Sequence, residues 1–358
     1  MRRGRRVLLA ALVVVGAMGA CSPGYVLRAA WEEGKILNRR RPITSIVADT
    51  ATDWETREKL MLVLQARQFA ADTLGLNAGK SYTLFSRVDS DTLVMVLSAA
   101  YKDRFQPHTW WFPVVGRVPY KGYFDFGDAE RARRKLEARG YDTYLRPSAA
   151  FSTLGWFNDP LLSTLLRYDQ VSLANTVIHE IFHNTFFAPG QAVFNESLAN
   201  FVGGRGAIEF FCRRDGAEAR TCRVATSAWR DDLTFGAFLE GMVAELEALY
   251  ARPDLTSGQK IAERERVFAA AQRRFADEVR PRLEVDGFTG FTREPLNNAT
   301  LIARRIYYRR LDLFERVFQS RGGDFQRTLA DLIAAARANK ADPYAGVEAL
   351  LAGAGQGL

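Results

Sequence analysis

The chain has 358 residues, 47% of them hydrophobic and 25% charged, a balance that excludes a disordered, collagen-like or disulfide-knotted protein. Its one strongly apolar stretch lies at the N-terminus, which excludes a polytopic membrane protein, and a chain of this length can bury a substantial core. The net charge of +8 includes Arg2, Arg3, Arg5 and Arg6; without them it is +4, and the other arginines are scattered, so nucleic acid is not expected as a partner.

Residues 1–6 form a basic segment, and Val7–Ala20 is an uncharged apolar run of 14 residues. A membrane-spanning helix needs about 20, whereas this length suits the apolar part of a secretory signal. Met18-Gly19-Ala20-Cys21 resembles a bacterial lipobox, whose cysteine is lipidated and becomes the first mature residue. Residues 1–20 are therefore expected to be a lipoprotein signal peptide, with the mature chain 21–358 tethered to a membrane through Cys21. Ser22 after the cysteine, in place of aspartate, points to the outer membrane, with the chain facing the periplasm. Cys212 and Cys222 stand ten apart with Gly216 between them, and in an oxidising compartment they are predicted to pair.

Within the mature chain, residues 21–80 read as helices, 26–48 and 54–76; Leu60, Leu62, Val63, Leu64, Phe69 and Leu74 recur at helical spacing in the second. Residues 81–225 have the texture of a catalytic core. Tyr82–Phe85, Thr92–Leu97, Trp110–Phe112 and Tyr141–Leu145 are short β-branched or aromatic runs that predict strands. Asp128–Arg139 predicts a helix with Asp128 as N-cap and Gly140 as its stop. A loop over 148–158 and a short helix after Pro160 are expected next. An apolar helix over 171–187 is then broken by Pro189-Gly190, and a second helix runs from about 193 to 211. Residues 226–358 read as helical, with breaks at Pro253, Pro281 and around Gly287–Pro295. The fold class is thus α+β, mostly helical, with a small mixed sheet beside the helix over 171–187 and a helical C-terminal half.

That helix carries His179-Glu180-Ile181-Phe182-His183, an H-E-x-x-H string. Positions i and i+4 lie about 40° apart and one turn along the helix, so both imidazoles can hold one Zn²⁺. Glu180, about 100° from His179, can reach a metal-activated water as general base. A catalytic zinc site takes three protein ligands and keeps one position open. Glu196 is the expected third ligand: if the helices on either side of Pro189-Gly190 pack antiparallel, it faces His183. His108, beside Pro107, is the weaker candidate. Ser152 and Thr153 are not proposed as nucleophiles, because only His108 is left over for a serine triad. Asn200, four residues after Glu196, can accept a hydrogen bond from a ligand histidine.

H-E-x-x-H followed by Asn195-Glu196-Ser197-Leu198-Ala199 resembles the gluzincin metallopeptidases, in which an N-E-x-x-A helix supplies the third zinc ligand. The strings Trp111–Phe124, Ser152–Phe157 and Asp159–Ser163, together with Leu296-Asn297-Asn298-Ala299 and Tyr307, resemble a family of bacterial lipoproteins described as predicted aminopeptidases. The resemblance implies a single zincin-like domain over 21–358, one Zn²⁺ per chain, a peptide substrate and Glu180 as general base. It also implies a donor to the tetrahedral oxyanion, for which Tyr307, or its neighbour Tyr308, is the candidate. Twelve residues separate His183 from Glu196, a shorter spacer than in thermolysin or aminopeptidase N, and the chain has no G-x-M-E-N string of the kind that holds a substrate's amino group. The alternative is a non-catalytic, lipid-anchored binding or assembly protein with a structural or vestigial zinc site.

Overall fold

A computed structural model describes residues 38–88, 94–112, 116–148, 160–285 and 287–354. The expected signal peptide, Cys21 and residues 151–159 with Ser152 and Thr153 lie outside the described residues. The protein is α+β and mostly helical. Its described strands are β1 Arg41–Pro42, β2 Leu84–Ser86, β3 Val94–Ala100, β4 Trp110–Phe112, β5 Gly116–Val118, β6 Tyr120–Tyr123, β7 Asp142–Ser148 and β8 Leu161–Leu162. The helices are α1 Ile43–Ala48, α2 Trp54–Asp72, α3 Phe126–Ala138, α4 Gln170–Thr185, α5 Ala192–Asp215, α6 Arg220–Ala251, α7 Ser257–Arg274, α8 Asn298–Tyr308, α9 Leu311–Ser320, α10 Phe325–Ala338 and α11 Pro343–Ala354.

Several boundaries differ from the sequence expectation for local reasons. The described part of 26–48 is not one helix: Pro42, whose missing N–H and ring disfavour a helix interior, ends β1, and only the short α1 follows. The N-cap of α3 is Asp125, whose carboxylate accepts from the Asp128 amide at 2.8 Å, so Asp128 sits in the first turn instead. After Pro160 the chain forms β8 and then a 3₁₀ turn over Ser163–Arg167 rather than an α-helix. Strand β7 runs three residues past Leu145, a difference that matters for the site.

The strands form a mixed sheet in the order β1-β2-β8, an antiparallel sheet in the order β6-β3-β7, and a β4-β5 hairpin. In the antiparallel sheet Val96 pairs with Arg146 and Gly122, and Ser98 pairs with Tyr144 and Tyr120. One face of this sheet turns Leu97, Ala99, Tyr123 and Leu145 onto Leu136 of α3. The opposite face therefore carries Tyr120, Tyr144 and Arg146, and α8 packs across this sheet. The main core joins α2, α4, α5, α9 and α10. A second, phenylalanine-rich core lies among α6, α7, α8 and the segment before α8, with Phe235, Phe275 and Phe291 buried and the Phe235 and Phe288 rings stacked at 4.1 Å. Cys212 at the end of α5 is bridged to Cys222 at the start of α6.

Candidate metal centre

Helix α4 begins at Asp169, whose carboxylate accepts from the amides of Val171 and Ser172 at 2.9 and 3.0 Å. Val177, Ile178, Ile181 and Phe182 are fully buried in the main core, which fixes the rotation of the helix. His179 and His183 then leave it one turn apart on the same side, both buried. After Thr185 the chain reverses, with Gly190 at a φ of +77° that a side chain rarely adopts. Asn195 clamps the reversal, taking the Ala188 amide on Oδ1 and giving Nδ2 to the Ala188 carbonyl, both at 2.9 Å. Glu196 follows, near the start of α5.

The return helix runs antiparallel to α4 and very close to it, because α5 is glycine-rich at the contact. A Cβ on Gly203 would meet the Asn175 side chain, the Asn175 carbonyl oxygen at 3.0 Å and His179 Cβ at 3.1 Å. A Cβ on Gly206 would lie 2.9 Å from Ile178 Cγ2, and one on Gly204 would lie 2.5 Å from the Trp229 ring of α6. This approach brings the Glu196 carboxylate to the histidines: Oε2 lies 3.5 Å from His179 Nε2 and 3.8 Å from His183 Nε2. The three donor atoms lie within 4.8 Å of one another, close enough to hold one metal ion.

The electrostatics suit a cation. Burial pushes the His183 imidazole down to about 4, which keeps it neutral with a lone pair to give. Its Nδ1 is buried with no hydrogen-bond partner among the described residues, and Nε2 is the nitrogen that faces Glu196. Burial also works against charge on His179, but the hydrogen bond to Glu196 and the nearby Glu180 outweigh it and raise its pKa. Burial opposes the Glu196 charge as well, and His183 and His179 more than offset this, so its pKa is lowered. Two imidazoles and an ionised carboxylate thus converge on one point, and a bound metal ion would satisfy all three.

Three side chains from distant parts of the chain form the wall beside this triad. Tyr307, in the last turn of α8, places its ring 6.3 Å from that of His179. Burial, and then the Glu196 charge, push its phenol up to about 12, so it is protonated and able to donate at neutral pH. Arg146 of β7 gives Nη2 to the Tyr307 hydroxyl at 3.3 Å. Burial works against the Arg146 charge, and Tyr307, Tyr144 and Glu196 outweigh it. Burial raises the pKa of Tyr120 on β6, and the charges of Glu196 and Glu180 add to it. The Glu180 charge is felt at His179, Tyr307 and Tyr120.

The other expected residues lie elsewhere. Asn200 does not bond a ligand histidine; its Nδ2 donates to the Tyr307 carbonyl at 3.1 Å. The reason is that the last carbonyls of α8 have no intrahelical partner, and Asn200 faces one of them. Tyr308 packs against Phe235 and Phe288 in the second core. His108 lies against Trp110 and Tyr141 on the α3 side of the sheet, away from the other two histidines. Arg146 and Tyr120 have no counterpart among the residues expected from sequence. The available signal was the alternation Asp142, Tyr144, Arg146 along a strand that reads as ending at Leu145. No curated protein and no solved structure matches this chain. The family described as "Putative aminopeptidase" matches residues 24–344, nearly the whole chain, and the protein belongs to that family.

Proposed function

We propose that the protein is a zinc-dependent peptidase. The observation that carries this reading is the convergence of His179, His183 and Glu196 within 4.8 Å, with Glu180 on the same helix beside them. Two histidines, one glutamate and room for a fourth ligand make up the donor set of catalytic zinc sites. Bound zinc supplies Lewis-acid chemistry, polarising a carbonyl and acidifying water. Glu180 takes the proton of the attacking water as its oxygen bonds to the scissile carbonyl carbon. As the C–N bond breaks, Glu180 gives that proton to the leaving amine. Tyr307, held protonated by its burial, donates to the oxyanion that develops on the carbonyl. Arg146 donates to the same phenol oxygen, so the Tyr307 hydrogen is left for the substrate.

We further propose that the chain works outside the cytoplasm, lipid-anchored at Cys21 and facing the periplasm from the outer membrane. The basic and apolar segments before Cys21 and the Cys212–Cys222 bridge, which belongs to an oxidising compartment, support this.

The test pairs zinc content with hydrolysis of a broad peptide library by the mature chain. The parent is expected to hold about one zinc per chain and to cleave peptides. Glu180→Gln should keep the zinc and lose turnover by about 10³-fold or more. Glu196→Ala should lose the zinc or bind it far more weakly. Unchanged turnover in Glu180→Gln would overturn the mechanism, and a parent that takes up no zinc would favour the binding-protein alternative.

A further inference from the structure

Several partly or fully buried arginines of this chain are matched to carboxylates. Arg264 holds Asp142 at 2.6 and 3.0 Å, Arg305 holds Glu240 at 2.8 Å through two nitrogens, and Arg205 holds Glu315. Arg304 and Arg321 each hold a carboxylate, Glu294 and Asp331, through one nitrogen. The pattern follows from cost, since a guanidinium withdrawn from water needs a hydrogen-bonded counter-charge. Some half-buried arginines have no carboxylate: Arg57 and Arg67 are bonded to backbone carbonyls, and Arg309 lies over the Tyr344 ring. Arg146 is the one of this group that stands beside the triad. This arginine is half-buried on the wall of the metal centre, yet among the described residues it forms no ion pair and gives one hydrogen bond, to Tyr307. The carboxylate whose field it feels, Glu196, is turned to the two histidines. The ring of Tyr307, whose hydroxyl takes the Arg146 bond, stands next to His179, so the incompletely used fork lies one side chain from the triad.

Resting on the peptidase reading, we propose that Arg146 is a specificity residue that binds a carboxylate of the peptide substrate. The missing counter-charge is then supplied with the substrate, in the bidentate geometry that suits guanidinium and carboxylate. That carboxylate is either the C-terminus of a short peptide or an acidic side chain near the scissile bond. A residue that served only to orient Tyr307 would affect every substrate alike, so the ratio between carboxylate and amide ligands separates the two roles.

The experiment is calorimetric titration of the zinc-loaded mature chain, in the slow Glu180→Gln background, with tri-alanine, tri-alanine amide and Ala-Glu-Ala amide. Tri-alanine, Ala-Glu-Ala amide or both are expected to bind roughly tenfold or more tightly than tri-alanine amide. A preference for tri-alanine identifies the C-terminus as the partner, and a preference for Ala-Glu-Ala amide identifies the side chain. Arg146→Gln should bring the ratio to about one, and Arg146→Lys, which keeps the charge without the fork, should retain part of it. Equal binding of all three peptides, no binding of any, or a full preference surviving in Arg146→Gln would overturn the proposal. Failure of the peptidase reading would show separately, as absent hydrolysis by the parent, and would leave the binding ratio intact.

Discussion

At the scale of single residues, the grouping of His179, His183 and Glu196 was legible because it depends on local spacing. His179 and His183 need only one helical face, and Glu196 needs only one reversal after it. Arg146 and Tyr120 were not, because strands β7 and β6 bring them to the site through pairing with β3. Asn200 shows how a local argument can miss: its helical position fits, but a nearer unsatisfied carbonyl takes its amide. Behind that amide lies Asp232, a carboxyl raised to about 7 by burial first and then by the charge of Asp231, with the Asn200 side chain pulling the other way. The sign of its effect on stability follows. Below the ordinary value of 3.8 both folded and unfolded chains hold the proton, so there is no contribution. Between 3.8 and about 7 the unfolded chain has lost the proton and the folded chain has kept it, so stability falls as pH rises. The slope is at most about 1.4 kcal/mol per pH unit, and above the folded value the loss is complete. Asp232→Asn removes the penalty. Its melting temperature should exceed the parent's by several degrees at about pH 8 and by little at about pH 4. A parent more stable than the variant at the higher pH would mean that the carboxylate is ionised and paired.

At the scale of elements, the helix pair α4–α5 makes the candidate metal centre, and what sets its spacing is the absence of side chains. The sequence shows the two helices and the break between them, since apolar periodicity and Pro189-Gly190 are strong signals. It does not show that Gly203, Gly204 and Gly206 are contact residues, because a glycine inside a helix reads only as a weak helix former. The structure gives them a role: Gly203 and Gly206 face α4, and Gly204 receives Trp229. Gly203→Ala should therefore act on the site as well as on the fold. The new methyl group meets the Asn175 carbonyl at 3.0 Å and His179 Cβ at 3.1 Å, so the helices must part and Glu196 moves with α5. Overpacking of this kind costs about 1–3 kcal/mol, and zinc affinity should fall with it. Gly241→Ala on α6 is the control, since a Cβ there meets nothing within 4 Å. That change should add about 0.5–1 kcal/mol of stability and leave zinc binding unchanged. Denaturant midpoints and zinc titrations of the two variants make the comparison. Equal zinc affinity in Gly203→Ala and the parent would show that helix spacing does not tune the site.

At the scale of the whole molecule, the triad comes from α4 and α5, whereas the wall beside it comes from the β6-β3-β7 sheet and α8. Within the wall, the sheet and α8 are joined at a buried polar hub. Asp142, at the start of β7, takes Arg264 of α7 on both oxygens, at 2.6 and 3.0 Å, and also takes the Asn298 amide at the start of α8 at 3.0 Å. Asn298 in turn gives Nδ2 to the Tyr101 carbonyl at 2.8 Å and receives the Tyr250 hydroxyl of α6 at 2.9 Å. Four elements therefore meet at a pair whose side chains are only 5% exposed. No spacing rule could have found this pair, since 122 residues separate its members. The energetics of such a pair are asymmetric: replacing both partners is often tolerated, whereas removing one leaves a buried charge and costs about 3–5 kcal/mol. Arg264→Met should accordingly lower unfolding stability by that amount, and Asp142→Asn added to it should recover much of the loss. The losses should change little with ionic strength, because a buried pair is poorly screened. The same register sets the distance from Arg146 on β7 to Tyr307 on α8, so Arg264→Met should also weaken peptide turnover while its zinc content stays near that of the parent, the ligands being on other helices. If zinc were lost in step with turnover, the sheet and α8 would not be a separate wall but part of what holds the metal ligands in place.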